Sequence, residues 1–310
     1  MRKKITVVGA GNVGAAAAQC CLGKGLGDVV LLDVLENVAR GKALDLGQAA
    51  MLEGHGCTVV GTSNYDATKD SDLVIVTAGM VRKPGMSRSD LLKANSGIVS
   101  QVVSDAARRS PDAVFIIVSN PVDSMCLVAA HAGPLAPGRV MGLSGVLDGA
   151  RLCANIAASA GVPAGTVQGM VLGEHGNSMV PLPRLSTIGG APASDFLSPD
   201  ALREVCRKTA GSGAEIVSLL GYSAYYAPGA AIAVMAEAVL RDTRALLCCS
   251  SFVNGQYGAS GIFMGVPGLI GADGVQEIIE ISLTDEERAA LDASIEALRA
   301  NAEAVQSLLA

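Results

Sequence analysis

The chain has 310 residues, of which 50% are hydrophobic and 17% are charged, and its formal net charge is -6. This composition predicts a folded chain with a sizeable core and argues against intrinsic disorder. The acidic balance excludes broad electrostatic attraction to nucleic acid or to an anionic membrane, so any anion site has to be local.

The first half of the chain alternates strand-like and helix-like segments. The β-branched run KITVVGA precedes the helix-prone NVGAAAAQCCLGKG, and the strand patterns DVVLLDV, DLVIVTAG and AVFIIVSN follow, with a further helix over residues 91–109. Strands that are apolar on both faces and separated by helices indicate a parallel sheet covered on two sides.

The second half has mixed α+β character. One helix is predicted after the N-cap Ser198, and the last helix begins at Thr284, with Glu287 completing a capping box. Between them, LLCCSSFV and GIFMGVPGLIG have the pattern of strands. We therefore expect two domains, over residues 1–145 and 146–310.

A glycine-rich turn follows the first strand pattern. GAGNVG places Gly9, Gly11 and Gly14 in G-x-G-x-x-G spacing before a helix, and Asp33 ends the next strand. Gly9 permits a tight turn, Gly11 lets a pyrophosphate approach the backbone, and Gly14 lets helix and strand pack closely. Asp33 can accept hydrogen bonds from a ribose diol and would repel a 2′-phosphate, which favours NAD over NADP. The alternative is a plain glycine turn with a surface aspartate.

Three side chains suggest acid–base chemistry. His175 lies in VLGEHGNSMV, and histidine suits a reaction that needs a proton donor near neutral pH, although a histidine beside glycine is often structural. SGVLDGARLCANIAA carries Asp148 and Arg151 three residues apart on one helical face. They form either an ordinary ion pair or a divided pair, in which Asp148 orients an imidazole and Arg151 binds a carboxylate.

The segment TAGMVRKPGMSRSD gathers cations in an acidic chain. Arg82, Lys83 and Arg88 surround Pro84 and Gly85. Either the segment is a solvated basic loop or it binds a small anion.

The cysteines and histidines indicate the kind of compartment and site. Eight cysteines lack C-x-x-C spacing and lie mostly in apolar segments, so we expect buried free thiols in the reducing cytoplasm. His55, His131 and His175 are the three histidines, too few for a multi-histidine metal site, and the first two are expected to be surface or hydrogen-bonded residues. No signal peptide and no transmembrane helix is expected from the apolar runs.

The ordered motifs resemble those of the lactate/malate dehydrogenase family, and within it the lactate-dehydrogenase-like malate dehydrogenases. The matching stretches, in family order from Val7 to Gly258, are GAGNVG, LLDV, GKALDL, VTAGMVRKPGMSRSDLLKAN, VSNPVD, SGVLDGAR, GEHG and GQYG. The resemblance implies a Rossmann doubly wound parallel sheet followed by an α+β substrate-binding domain. It also implies NAD-dependent hydride transfer between malate and oxaloacetate, and a homodimer or homotetramer. Helices over residues 12–22 and 225–239 are the candidate interface elements.

Residue by residue, the resemblance implies roles for the side chains named above. His175 is the acid/base and Asp148 its orienting partner. Arg151 binds the carboxylate next to the reacting carbon, and Arg88 polarises the carbonyl oxygen.

The resemblance also implies a cofactor groove along one edge of the sheet. Its residues are Gly9, Gly11, Asn12, Val13, Gly14, Asp33, Thr77, Ala78, Gly79, Asn95, Val118 and Asn120. Asn120 is expected to contact the substrate as well.

Substrate choice is expected to depend on Arg82. Lactate dehydrogenases carry glutamine at the matching position and malate dehydrogenases carry arginine. Arg82 can neutralise the second carboxylate of oxaloacetate with a bidentate pair worth about 2–4 kcal/mol, whereas pyruvate would leave it buried without a partner. Ala224 stands where lactate dehydrogenases usually have threonine and leaves room for the larger substrate. Asn177 departs from the aspartate of many relatives.

Two alternative functions stay open. One is an L-lactate dehydrogenase, which would prefer pyruvate to oxaloacetate. The other is a non-catalytic NAD-binding sensor, which would keep the glycine turn and Asp33 without needing His175, Asp148 and Arg88 together.

Overall fold

The computed structural model describes residues 2–80 and 88–309, together with all their side chains except that of Arg88. The strands are β1 (Lys4–Val8), β2 (Asp28–Leu32), β3 (Val59–Thr62), β4 (Leu73–Val76), β5 (Val114–Ile117), β6 (Val140–Gly142), β7 (Val167–Gln168), β8 (Val171–Gly173), β9 (Met179–Pro181), β10 (Thr187–Ile188), β11 (Ala191–Pro192), β12 (Ala245–Asn254), β13 (Ser260–Gly271) and β14 (Gly274–Ile278). The helices are α1 (Asn12–Gly23), α2 (Glu36–Glu53), α3 (Arg88–Arg109), α4 (Val122–His131), α5 (Gly145–Ala160), α6 (Pro199–Leu220), α7 (Tyr226–Leu240) and α8 (Asp285–Leu309).

The first six strands form a parallel sheet in the order β3-β2-β1-β4-β5-β6. The order reverses between the neighbours β1 and β4, whose crossover helices leave in opposite directions. Ligands of open α/β sheets bind in the crevice at this kind of switch point. The predicted doubly wound parallel sheet is thus present, and a ligand site is expected at its carboxyl edge.

The sheet does not stop at the end of the first half. β6 pairs with the antiparallel strand β12 through Gly142 and Ser250, and β13, β8 and β9 continue it, with β14 also paired to β13. A separate three-stranded sheet has the order β11-β10-β7. The second half therefore adds antiparallel strands to a parallel sheet, in agreement with the expected α+β character.

Both faces of the parallel sheet are buried. Val7 and Ile75 belong to a core on the side of α1 and α7, whereas their neighbours Val8 and Val76 belong to a core on the side of α3, α4 and α8. Side chains alternate along a strand, so a sheet covered on two sides needs apolar residues at successive positions.

The predicted helix caps are formed. The Ser198 Oγ accepts a hydrogen bond from the Ala201 N–H at 3.3 Å. The Thr284 N–H donates to Glu287 at 2.9 Å and the Glu287 N–H donates back to the Thr284 Oγ1 at 3.2 Å, which is a complete capping box.

The two helices suggested as interface elements, α1 and α7, pack against each other within the chain. A Cβ added at Gly229 of α7 would lie 2.7 Å from the Cβ of Ala16 in α1, so the helices approach at a glycine. None of the helices within residues 2–80 and 88–309 combines the length and apolarity needed to cross a bilayer.

Candidate active site

The glycine turn connects β1 to α1, and each of its three glycines meets a different surrounding. Gly9 has φ +105°, and a Cβ there would lie 2.6 Å from the Thr77 Oγ1. A Cβ on Gly14 would lie 1.9 Å from the Gly9 carbonyl oxygen, which no side chain can tolerate. Gly11 has an ordinary φ of -66° and open space within 4 Å of its added Cβ. Only Gly11 therefore leaves an unfilled approach to the backbone, at the first turn of α1, which is the position that a pyrophosphate needs.

Asp33 stands directly after β2, beside this turn. Its Oδ2 accepts a hydrogen bond from the Ala10 N–H at 2.6 Å, and its Oδ1 accepts one from the Leu35 N–H at 2.9 Å. An ionised carboxylate has about four acceptor positions, so Asp33 keeps capacity for a diol. The residues fit a dinucleotide whose ribose lies at the end of β2.

The other predicted groove segments follow β4 and β5. Thr77 donates from its Oγ1 to the Gly9 carbonyl at 2.9 Å and so ties the end of β4 to the glycine turn. Ala78 and Gly79 continue this segment. Val118 and Asn120 follow β5 and line a cleft, and the peptide bond after Asn120 is cis.

Asn95 of α3 is 1% exposed and joins two of these segments. Its Nδ2 donates to the Asn120 carbonyl at 2.7 Å and to the Met80 carbonyl at 3.2 Å, and its Oδ1 accepts from the Met80 N–H at 2.7 Å. Both amide hydrogens are therefore used within the protein. Asn95 acts on the groove by holding its backbone in place.

Three side chains predicted from the sequence meet at the carboxyl end of β8. The His175 Nδ1 lies 2.6 Å from the Asp148 Oδ2, and the Arg151 Nη1 donates to the Asp148 Oδ1 at 3.0 Å. The Asp148 side chain is 2% exposed, and those of His175 and Arg151 are 16% and 15% exposed. The Asp148 carboxylate therefore pairs with Arg151 and contacts the imidazole of His175 at the same time. The binding of a substrate carboxylate by Arg151 stays a prediction.

The surroundings of His175 favour its protonated form. Burial lowers the pKa of the imidazole, but the charge and hydrogen bond of Asp148 raise it, the charge of Asp123 raises it further, and Arg151 opposes them. The net result is a pKa above the ordinary value, which suits a group that donates a proton near neutral pH.

Asp123 of α4 is a residue for which the sequence analysis gave no role. It is 6% exposed, its Oδ2 accepts the backbone N–H of His175 at 3.0 Å, and its Oδ1 accepts from the Ser250 hydroxyl at 2.5 Å. Burial raises the pKa of this carboxyl to about 6. The available signal was its position in the mostly apolar helix pattern VDSMCLVAA, since a lone acid there has to be paired.

The cleft between the two halves has a volume of about 290 Å³. Its lining residues are Val13, Val118, Asn120, Leu143, Leu147, Arg151, His175, Gly176, Asn177, Met179, Ala210, Gly213, Ala214, Val217, Ser223, Ala224 and Pro228. The Nε of Arg151 is buried and has no hydrogen-bond partner among the described residues. A buried guanidinium donor without a partner fits a site for a carboxylate.

Several sequence expectations fall outside these contacts. Arg82 and its neighbours through residue 87 lie outside the described residues, and α3 begins at Arg88, whose side chain also lies outside them. The Nδ1 of His131 is 2.8 Å from the Leu127 carbonyl, as expected. The expectation for His55 is met at one ring nitrogen only. Its Nε2 lies 3.6 Å from the Glu53 Oε2, whereas its buried Nδ1 has no partner in the described part of the chain.

Comparison with known proteins identifies the family. Residues 3–142 match the lactate/malate dehydrogenase NAD-binding domain, and residues 145–309 match the alpha/beta C-terminal domain of the same family. The malate dehydrogenase of Thermomicrobium roseum is 49% identical over 308 residues, covering 99% of this chain and all of the relative.

Solved structures agree. The malate dehydrogenase of Salinibacter ruber has a TM-score of 0.94 at 42% identity and covers 98% of both chains. A Cryptosporidium parvum lactate dehydrogenase complexed with lactic acid and nicotinamide adenine dinucleotide has a TM-score of 0.94 at 36% identity, covering 99% of this chain and 98% of the other. The chain belongs to the lactate/malate dehydrogenase family.

Proposed function

We propose that the chain is an NAD-dependent malate dehydrogenase, which interconverts malate and oxaloacetate. The observation that carries the proposal is the His175–Asp148–Arg151 cluster in a cleft beside the dinucleotide groove. The full-length similarity to proteins named malate dehydrogenase supports the choice of substrate.

The cofactor is NAD, which accepts or supplies the hydride when bound. The glycine turn is shaped for its pyrophosphate, since Gly11 is the one glycine of the three with room on its Cβ side. The Asp33 carboxylate suits the unmodified ribose of NAD because it would repel the 2′-phosphate of NADP. Thr77 to Gly79 and Val118 to Asn120 complete the groove.

His175 holds the proton that moves. Its Nδ1–H donates to Asp148, which fixes the tautomer and leaves Nε2 as the atom that exchanges a proton with the substrate. In oxaloacetate reduction Nε2 protonates the carbonyl oxygen, and in malate oxidation neutral Nε2 accepts the hydroxyl proton.

Arg151 binds the carboxylate next to the reacting carbon. Its Nη1 is held by Asp148, which orients the guanidinium plane, and the buried Nε is available as a second donor. A carboxylate here gains a charge-assisted hydrogen bond and satisfies a buried donor, so removal of Arg151 should raise the KM for the substrate strongly.

We assign the second carboxylate of oxaloacetate to Arg82 and the polarisation of the carbonyl to Arg88. This assignment rests on the family resemblance and on the chemistry of the substrate. Substitution Arg82→Gln should move activity from oxaloacetate toward pyruvate, because the neutral amide no longer pairs with the distal carboxylate.

The experiment that tests the function compares oxaloacetate and pyruvate at equal concentration with NADH. A malate dehydrogenase oxidises NADH faster with oxaloacetate. A preference for pyruvate would identify a lactate dehydrogenase, such as the structural relative from Cryptosporidium parvum. Failure to oxidise NADH with any 2-oxo acid, while NADH still binds, would favour the NAD-binding sensor.

We further propose that the chain self-associates and works in the cytoplasm. The α2 apolar surface, defined as Leu44 and Met51 of α2 together with Val60 of the neighbouring strand β3, has exposed fractions of 66%, 83% and 54%. It borders a groove of about 810 Å³ that His175 does not line, and a second copy of the chain is the partner we assign to it. All eight cysteines are free, which suits a reducing compartment.

A further inference from the structure

We propose that Asp123 is a second charged positioning residue for the proton-transferring imidazole: it holds the backbone of His175 and places a negative charge near the ring. The inference rests on the proposed role of His175 and extends it to a residue outside the substrate cleft. Asp148 contacts the ring, whereas Asp123 contacts the main chain of the same residue.

The segment that carries His175 is held from two elements. Asp123 of α4 accepts the His175 N–H at 3.0 Å, and Ser294 of α8 accepts the preceding N–H, that of Glu174, at 2.8 Å. Both acceptors are buried, with exposed fractions of 6% and 0%. The two anchors do the same geometric work on successive residues, but only Asp123 can carry a charge.

Holding the His175 N–H does not by itself require an acid at position 123. The Ser294 hydroxyl shows that a neutral group can hold the neighbouring N–H, and a buried carboxylate is costly in a low dielectric. Because Asp123 is buried, little water screens its charge from His175. A nearby anion stabilises the imidazolium and so raises the pKa of His175.

Among the side chains that the structure describes, few charged groups surround the two residues. Asp148 and Arg151 face His175 from α5, Asp123 faces it from α4, and Glu174 is its neighbour in the chain. Asp123 also faces Cys126, one turn along α4, and the pKa of that thiol is raised well above its ordinary value by burial, so the thiol stays neutral. Asp123 is therefore a distinct source of negative charge for the imidazole.

The expected effect is on the pH profile. Oxaloacetate reduction requires protonated His175, so its kcat/KM falls as pH rises through the pKa of the imidazole. Loss of the Asp123 charge lowers that pKa and moves the falling limb to lower pH. Below about pH 6 the carboxyl of Asp123 is itself protonated, so the wild-type and uncharged forms should converge there.

The experiment compares Asp123→Asn with Ser294→Ala in the full chain with saturating NADH. Asparagine can still accept the His175 N–H and donate to the Ser250 hydroxyl, so it keeps the anchor and removes the charge. We expect kcat/KM for oxaloacetate to fall at least about threefold above the wild-type midpoint, with the limb displaced to lower pH. In Ser294→Ala the falling limb of the kcat/KM profile should stay at the wild-type pH, even if the substitution changes turnover.

An unmoved limb in Asp123→Asn would overturn the proposal, and so would an equal displacement in Ser294→Ala. If Asp123→Asn does not fold, Ser250→Ala gives the same test, because the Ser250 hydrogen bond lowers the pKa of Asp123 and its loss leaves less charge near neutral pH. The falling limb of the Ser250→Ala profile should also move to lower pH, and if it does not move the proposal is wrong.

The failure of this inference is separable from that of the proposed function. His175→Asn should lose turnover by orders of magnitude while NADH still binds. If His175→Asn keeps near-normal turnover, the acid/base assignment itself is wrong. If His175→Asn is inactive and the Asp123→Asn limb is unmoved, only the role of Asp123 fails.

Discussion

His175 is held by two buried carboxylates that contact different parts of the residue. Asp148 forms a 2.6 Å contact with the ring, and Asp123 receives the backbone N–H of the same residue. The first fixes the tautomer and the second fixes the position from which the ring projects. Substituting either acid with asparagine therefore removes the charge while it keeps a side chain of nearly the same shape.

Asp148→Asn should have the larger kinetic effect. After burial, which lowers the pKa of His175, the charge and hydrogen bond of Asp148 are the principal influences that raise it. Their loss should move the falling limb of oxaloacetate reduction to lower pH and reduce kcat/KM at pH 8 by about a hundredfold or more. Steady-state kinetics from pH 5 to 9 measure both effects. An unmoved limb would contradict the orienting role of Asp148.

Asp123→Asn should make the protein more stable above neutral pH while it impairs catalysis. Folding raises the pKa of this carboxyl from 3.8 to about 6, so its stabilising contribution is complete below the unfolded value and is lost as pH rises through about 6. At pH 8 the variant should gain about 1–3 kcal/mol in free energy of unfolding, and less at pH 5. Urea denaturation at the two pH values measures the difference in free energy of unfolding between the variant and the wild type. A difference that does not grow with pH would contradict a buried charge at Asp123.

At this scale the sequence predicted the individual side chains better than their geometry. His175, Asp148 and Arg151 were identified by residue type and by the order of motifs, and they do meet. Their sharing of one carboxylate depends on the distance between α5 and the end of β8, which spacing along the chain does not specify. The pattern around Asp123 indicates a paired acid but not its partners, because the His175 N–H and the Ser250 hydroxyl are brought to it only by the fold.

At the scale of elements, the turn between β1 and α1 contains one glycine that close packing requires, Gly14, and another that we assign to cofactor binding, Gly11. Gly14→Ala should destabilise the fold by about 1–3 kcal/mol or more, because its Cβ would lie 1.9 Å from the Gly9 carbonyl oxygen. Gly11→Ala meets open space and has ordinary backbone angles, so it should fold like the wild type and raise the Kd for NADH at least about tenfold. Thermal unfolding measures the stability of the two variants, and NADH fluorescence titration measures their Kd for NADH. Equal stability losses in both variants would contradict the distinction.

Secondary structure was predictable where local chemistry decides it. The buried parallel strands follow from apolar residues on both faces, and the caps at Ser198 and Thr284 follow from side chains three residues from their partners. The two-residue strands β7, β10 and β11 carry too little pattern to be found in this way. The junction of β6 with β12 rests on one residue pair, Gly142 and Ser250, which are far apart in the chain.

At the scale of the whole molecule, the two halves share structure. The sheet continues across the junction between β6 and β12, and α7 of the second half packs on α1 of the first. The two helices named as candidate interface elements thus also join the halves of one chain, and their part in an interface stays a prediction. The division into domains at residues 1–145 and 146–310 stays a prediction. The halves should depend on each other for stability, since each covers apolar surface of the other.

Self-association belongs to the same scale, because it concerns the surface that the fold leaves uncovered. Leu44 and Met51 lie seven residues apart on one face of α2 and are 66% and 83% exposed, so lysine at both positions should leave the fold intact. Burying these charges between two copies would be costly, and the double variant Leu44→Lys, Met51→Lys should sediment as a monomer. Leu185→Lys, at a 37% exposed leucine outside this surface, is the matched control and should keep the wild-type mass. A monomeric wild type, or an unchanged mass in the double variant, would remove the α2 apolar surface as the site of association.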